Sequence, residues 1–437
     1  MATDKNGCNG WLVVQQTAYP LHPLHPLHPL HPLQRLYMKI NNNHLTYCTN
    51  IHPGEHWHEV FANLQQYIPE LKAQLGWDKP FGIGLRLANV ATHELLESDT
   101  LANFQAWLQQ NDLYVFTLNG FPYGGFHFSV VKDKVYAPDW TKSERLEYTL
   151  RLARILAPLL PDGVEGSIST LPLSYKPWFK NNKSDLSSVT VSATHNLVQV
   201  VAELVRIKEA TGKILHLGLE PEPDGLIENA VEVVQYFKEY LIPIGSSYLA
   251  KELQISESDA KTLVLEHVRV CYDTCHFAVE YENPVSVVKQ FEEEGIKISK
   301  IQISAALQVN LPKDVEQRST LKQKLQTFAE STYLHQAIAR KADGIRSHYS
   351  DLDVALVDFE GAEEWRVHFH VPIFVRDYEG LQSTQDDIID VLDLLKKDNF
   401  CTHLEIETYT WEVLPSSMKL DLLASIKREY EWILSFL

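Results

Sequence analysis

The stretch Ile214-Leu-His-Leu-Gly-Leu-Glu-Pro-Glu-Pro-Asp224 decides how the fold is read. Its first six residues, bounded by turn formers, predict a short buried strand. Prolines 221 and 223 then stop any helix and hold the acids in an extended segment, with Glu220 and Glu222 on one side. An amphipathic run at Asp185–Thr211 precedes it and another at Leu226–Ile242 follows. The next strand, Val268–Tyr272, runs into Asp273-Thr-Cys-His276. Strands that alternate with helices and end in acids are expected of a parallel sheet whose polar groups gather at one end.

The same alternation extends in both directions. Further candidate strands are Leu45–Thr49, Gly82–Leu87, Leu113–Leu118, Glu165–Thr170, Lys300–Ser304, Arg366–Val371 and His403–Glu407. Val60, Leu64, Tyr67, Leu71 and Leu75 recur at helical spacing up to Gly76, with a kink expected at Pro69. Helical patterns also cover Ser143–Pro161, Asn283–Gly295, Asp314–Asp343 and Thr384–Asp398, and a last one follows Ser416 or Ser417. Nine strands compete for eight barrel positions, and Arg366–Val371 is the expected accessory strand. The expected fold is an α/β (β/α)8 TIM barrel over 38–437, as one domain. A doubly wound open sheet is the rival, but its Gly-x-Gly-x-x-Gly turn is missing after the first strand.

Residues 21–32 repeat Leu-His-Pro four times. The prolines forbid a helix or an interior strand, so 1–37 is expected to be a disordered or polyproline-like extension, with Met38 opening the folded part. Acidic residues outnumber basic ones 57 to 39, which disfavours nucleic acid as a partner. Membrane insertion is not expected, since no run reaches about 18 apolar residues. Five sparse cysteines argue against a disulfide scaffold, and the expectation is a cytoplasmic protein with thiols. Cys271 and Cys275, lacking a second pair, read as packing residues.

Strand ends are the places to look for chemistry in a barrel. Glu220, Glu222, Asp273, His276, Gln302, His368, His370, Glu405 and Glu407 all fall at or near such ends. Carboxylates and imidazoles from separate strands suit Mn, Zn, Mg or Co. Taken singly, each has a plainer reading: an acid after a strand is commonly a helix cap or an ion-pair partner, and a histidine among apolar residues a core residue. Their co-occurrence on successive strand ends favours a metal site. Earlier strands end in Asn50-Ile-His52, Asn119-Gly-Phe-Pro-Tyr-Gly-Gly-Phe-His127 and Ser169 through Tyr175-Lys176-Pro-Trp178, where His52, His127, Tyr175, Lys176 and Trp178 are candidates for binding a polyol. The aromatics there would equally serve to pack the loops.

Leu219-Glu220-Pro221, Asp273-Thr-Cys-His276 and Glu407 (or Glu405) resemble the metal motif of the xylose-isomerase-like superfamily, which includes sugar isomerases, epimerases and apurinic endonucleases. The resemblance implies Glu220, Asp273, Gln302, His370 and Glu407 as the metal set. Gln302 stands where the family usually has a histidine, and His370 is the candidate substitute. It also implies Glu220 and Glu407 as the groups that move a proton, with His276, Glu222 and His368 beside the substrate. More narrowly, Thr46-Tyr-Cys-Thr-Asn-Ile-His-Pro-Gly-Glu55, Val135-Tyr-Ala-Pro-Asp-Trp140 and Leu404-Glu-Ile-Glu-Thr-Tyr-Thr-Trp411 are similar to the E component of the ebo cluster (EboE), a bacterial family called metabolite traffic proteins. That family implies a role in moving or processing a precursor, with other proteins of the cluster as partners.

Three functions follow as expectations. The first is a divalent-metal-dependent isomerase or epimerase acting on a small sugar- or cyclitol-like metabolite. A metal-dependent phosphoester hydrolase is the second. The third is a non-catalytic binding or scaffold barrel that has lost its metal.

Overall fold

The computed structural model describes residues 39–40, 42–127, 131–180, 185–329, 332–358, 361–378, 380–412 and 421–437. The Leu-His-Pro tract, Ser416 and Ser417 lie outside them. Eight parallel strands, each buried along its length, form the barrel: β1 (Asn43–Tyr47), β2 (Phe81–Arg86), β3 (Leu113–Asn119), β4 (Gly166–Thr170), β5 (Leu215–Leu219), β6 (Val268–Asp273), β7 (Ile298–Ile303) and β8 (His403–Ile406), with the short strand Lys39–Ile40 added antiparallel to β1. They run parallel from β2 through β8, and β8 pairs in parallel with β1. The fold is a (β/α)8 barrel.

The β1–β2 seam that closes the ring is made differently from the other seven. One bridge, Cys48 to Gly84, is the only ladder contact among the described residues, and side chains supply the rest. Thr46 Oγ1 accepts from the Gly84 amide at 2.7 Å and donates to the Gly82 carbonyl at 3.1 Å, while Thr49 Oγ1 accepts from the Arg86 amide at 2.9 Å. Gly84 has no room for a side chain: an added Cβ would lie 2.1 Å from Glu405 Oε1 and 2.8 Å from the Tyr47 carbonyl. Gly84→Ala should therefore lower stability by about 1–3 kcal/mol, read from chemical unfolding, through strain at a seam that cannot spread.

Helices cover the outside where the sequence pattern predicts them. The first, Trp57–Gln74, contains Pro69 and ends at Leu75, followed by Gly76 at φ +61, a left-handed stop. Three expectations are corrected. The helix expected over Leu226–Ile242 begins at Ala230, capped by Asn229, and passes through a π-turn at Phe237–Leu241 into Ile242–Leu253. The helix expected over Asp314–Asp343 ends at Gln326, and Ala337–Arg340 is a strand. The last helix is Leu422–Leu434, opened by Asp421 accepting from the Ala424 amide.

Between β7 and the helix Gln385–Asp398 the chain builds a second, antiparallel sheet. Its central strands, Ala305–Asn310 and Glu364–Val371, are flanked by Ala337–Arg340 on one side and Leu381–Ser383 on the other. Arg366–Val371 is thus the accessory strand expected. Its pairing is regular to Val367 and resumes only at Val371, so His368 to His370 form an irregular stretch that no longer follows the ladder. Such an irregularity re-aims side chains, and here it delivers two histidines to the barrel mouth.

Candidate metal centre

Alternation along β8 stacks His403, Glu405 and Glu407 on the inner face. Each meets a different layer of the barrel. His403 Nδ1 lies 2.9 Å from Ser167 Oγ at the floor. Glu405 is ion-paired to Lys300 in the middle, with both side chains fully buried. At the top, Glu407 meets the ends of β1, β3 and β7: Asn50 and Asn119 each donate to its Oε1 at 2.8 Å, and Gln302 donates to its Oε2 at 2.6 Å. Gln302 in turn accepts from the Cys271 thiol at 2.7 Å. Both ends of its amide are spent on protein, so Gln302 positions Glu407.

Asp273 ends β6 and opens the helix Thr274–Val279. Its Oδ1 accepts from the Cys275 amide (2.8 Å), the His276 amide (3.2 Å) and Ser304 Oγ (2.5 Å). Its Oδ2 is buried without a hydrogen-bond partner and lies 3.8 Å from His276 Nε2 and 3.9 Å from His370 Nε2. One carboxylate oxygen caps a helix, and the other faces the site.

The histidines repeat this logic. His276 Nδ1 lies 3.2 Å from the Pro221 carbonyl, His370 Nδ1 2.8 Å from the Glu407 carbonyl, and His368 Nδ1 2.8 Å from Gln336 Oε1. An oxygen acceptor at Nδ1 places the proton there and leaves the Nε2 lone pair to face inward. His368 Nε2 and His370 Nε2 are buried without a partner, as are Glu220 Oε2 and Glu222 Oε1. Burial lowers all three imidazoles, His276 to about 4, and so keeps them neutral. Burial also pushes Glu220 and Glu407 well above the usual carboxylate range, each raised further by neighbouring acids.

The result is a crowd of acids and imidazoles, several of them with a buried oxygen or nitrogen left without a partner. Orphaned buried polar atoms are rare in native proteins, and several converging on one point ask for a cation. Glu220, Asp273 and Glu407 each offer a ligand oxygen within 4.8 Å of the others; Asp273, His276 and His370, and likewise Glu222, His276 and His368, each bring one carboxylate oxygen and two ring nitrogens within the same distance. Oxygen and imidazole donors of this number suit Mn, Zn, Co or Mg. The residues present therefore fit a divalent ion.

Burial pushes Glu222 up to about 8. A carboxyl raised on folding adds stability that is complete below its ordinary value of about 4.5 and is lost as pH rises through about 8. Metal-free protein should thus melt at progressively lower temperature across that window. Added metal should flatten the trend and release protons on binding, a release that calorimetry in buffers of different ionisation enthalpy would detect.

No family model and no curated protein matches the sequence. Among solved structures the chain is similar to a D-tagatose 3-epimerase-like protein, at 11% identity and a TM-score of 0.46, over 90% of this chain and 96% of that chain. It is similar to IolI protein with a bound zinc atom at 13% identity and 0.44, over 90% and 97%. The 3-keto-D-glucoside 4-epimerase YcjR from E. coli gives 12% and 0.43, over 90% and 98%.

Of the residues singled out in the sequence, Glu220, Glu222, His276, His368, His370 and Glu407 line one cleft of about 560 Å³, with Asp273 and Gln302 beneath. Glu405 lies a layer below, paired with Lys300, and the other five lie elsewhere. His52 hydrogen-bonds Tyr47, stacks on Tyr67 with ring centroids 4.3 Å apart and is held neutral by burial. Lys176 is paired with Glu228 and Glu232; Trp178 is 42% exposed and donates to Asp133. Tyr175 packs on Tyr136 behind the cleft wall, and His127 Nε2 lies 2.6 Å from the Asn50 carbonyl. Absent from the sequence-derived set were Asn50 and Asn119, which hold Glu407, and Gln336, which orients His368. The asparagines do stand directly after strands, a readable signal. Gln336 has none, because only the inserted sheet brings it near.

Proposed function

We propose that the protein is a divalent-metal-dependent isomerase or epimerase that moves a proton on a carbon flanked by oxygen functions, in a compound of the sugar or cyclitol class. The observation that carries this reading is the convergence of unpartnered carboxylate and imidazole atoms at the barrel mouth. The motif resemblance of Leu219-Glu220-Pro221, Asp273-Thr-Cys-His276 and Glu407 to the xylose-isomerase-like superfamily supports it. Asp273, Glu220, Glu407 and His370 would hold the ion, with His370 supplying the imidazole that Gln302 lacks. A bound divalent ion would polarise adjacent substrate oxygens and favour loss of the intervening carbon-bound proton.

Glu220 is the better placed of the two proposed proton carriers. Its Oε2 has no partner, and burial with neighbouring acids raises its proton affinity well above that of an ordinary carboxylate. Glu407, gripped by three amide donors, serves as an anchored ligand. On the EboE-type resemblance of its motifs, this chemistry would serve the processing of a metabolite precursor.

The test is solvent exchange. Metal-loaded protein incubated in D2O with a panel of ketoses and keto-cyclitols should wash deuterium into carbon next to the carbonyl, and Glu220→Gln should slow this by about 10²–10⁴-fold. Metal-loaded protein that exchanges none of the panel would sink the isomerase reading in favour of a binding barrel.

A further inference from the structure

The cleft above the acids is divided by chemistry. Its floor holds carboxylates and imidazoles, whereas its wall is Phe121, Phe126, Val131, Tyr136, Tyr333 and Tyr409. Three of those rings form a cluster, with centroids 5.3 Å apart for Phe126–Tyr333, 5.3 Å for Phe126–Tyr409 and 5.2 Å for Tyr333–Tyr409. They come from separate parts of the chain: the loop after β3, the inserted segment and the loop after β8. Tyr409 lies 4.6 Å from the His370 ring, so the aromatic wall begins where the floor ends.

Several polar side chains that also line the cleft already donate to the protein. Asn50 and Asn119 donate to Glu407, Gln336 to the Pro223 carbonyl, Tyr333 to the Phe126 carbonyl, and Lys132 pairs with Asp351. Among them Asn50 Oδ1 alone is buried without a partner. A ligand bearing hydroxyls all round would push most of them against aromatic faces, where each loses water without gaining a partner.

We propose that the cleft takes a cyclic, carbon-rich ligand carrying two adjacent oxygens on one edge only. The oxygen edge points down to the carboxylate–imidazole floor, and the carbon edge packs on Phe126, Tyr333 and Tyr409. The inference rests on the reading that the floor holds a divalent ion, and it narrows the substrate within that reading.

The test compares two ligands with the same ring and the same vicinal diol. Full-length protein is loaded with Co(II), freed of excess metal and titrated with cis-1,2-cyclohexanediol and with myo-inositol, following the visible cobalt spectrum. The diol should bind at least about 10-fold more tightly than inositol, and Phe126→Ser should erase that preference while cobalt uptake stays unchanged. Inositol binding as well as the diol, neither ligand binding, or a preference untouched by Phe126→Ser would overturn the inference alone. Failure of the protein to take up cobalt at all would overturn the metal-centre reading and this inference with it.

Discussion

Asp273→Asn should lose the metal ion while keeping the fold. The side chain has two separate duties, and asparagine preserves only one. Its amide oxygen can still accept from the Cys275 and His276 amides and from Ser304, so the helix Thr274–Val279 keeps its cap. The other oxygen, unpartnered between His276 and His370, becomes an NH2 group that carries no charge and donates instead of accepting. Metal affinity should fall by more than about 100-fold, measured by chelator competition, since even residues that only orient metal ligands are worth 10–100-fold. Thermal unfolding of the metal-free variant should fall modestly below that of metal-free wild type, because, despite burial, His276, His370 and the Ser304 hydroxyl hold the Asp273 carboxyl below its usual range and so favour the charge that asparagine lacks. A folded variant with undiminished metal affinity would remove Asp273 from the site.

The second large effect concerns the imidazole. His370→Ala should weaken metal binding by about 10–100-fold, and Gln302→His added to it should restore much of the loss. Both side chains reach the same region from different directions. Gln302 rises from β7 to Glu407 Oε2, and His370 descends from the irregular stretch of the inserted sheet to within 3.9 Å of Asp273. A histidine at 302 would recover the arrangement the superfamily motif leads one to expect. If the double variant binds no more tightly than His370→Ala, the two positions do not substitute for one another.

These effects bear on what a sequence can reveal. Leu215–Leu219 and Val268–Asp273 were legible because strand length, prolines and acids all pointed one way, and the carboxylates on them do meet. Arg366–Val371 was legible as surplus to a barrel, but the pairing irregularity that turns its histidines inward belongs to register with Ala305–Asn310. The strand Ala337–Arg340 was hidden inside a helical pattern, since its two neighbours in the sheet lie far along the chain or across a turn. His52 follows a strand just as Asn50 does, yet the 3-10 turn Thr49–Ile51 swings it back against Tyr67. Lys176 and Trp178 sit in a similar turn, Lys176–Phe179, and meet Glu228 and Asp133: residues one or two positions apart in a turn can face opposite ways, and composition does not say which.

No helix among the described residues is long and apolar enough to cross a membrane. Anomalous X-ray diffraction from crystals of the full-length protein, grown with manganese or zinc, would locate the ion directly. A peak about 2.0–2.3 Å from both Asp273 Oδ2 and His370 Nε2 is the predicted result. Metal held only by the Leu-His-Pro tract, or no peak at the barrel mouth, would contradict it.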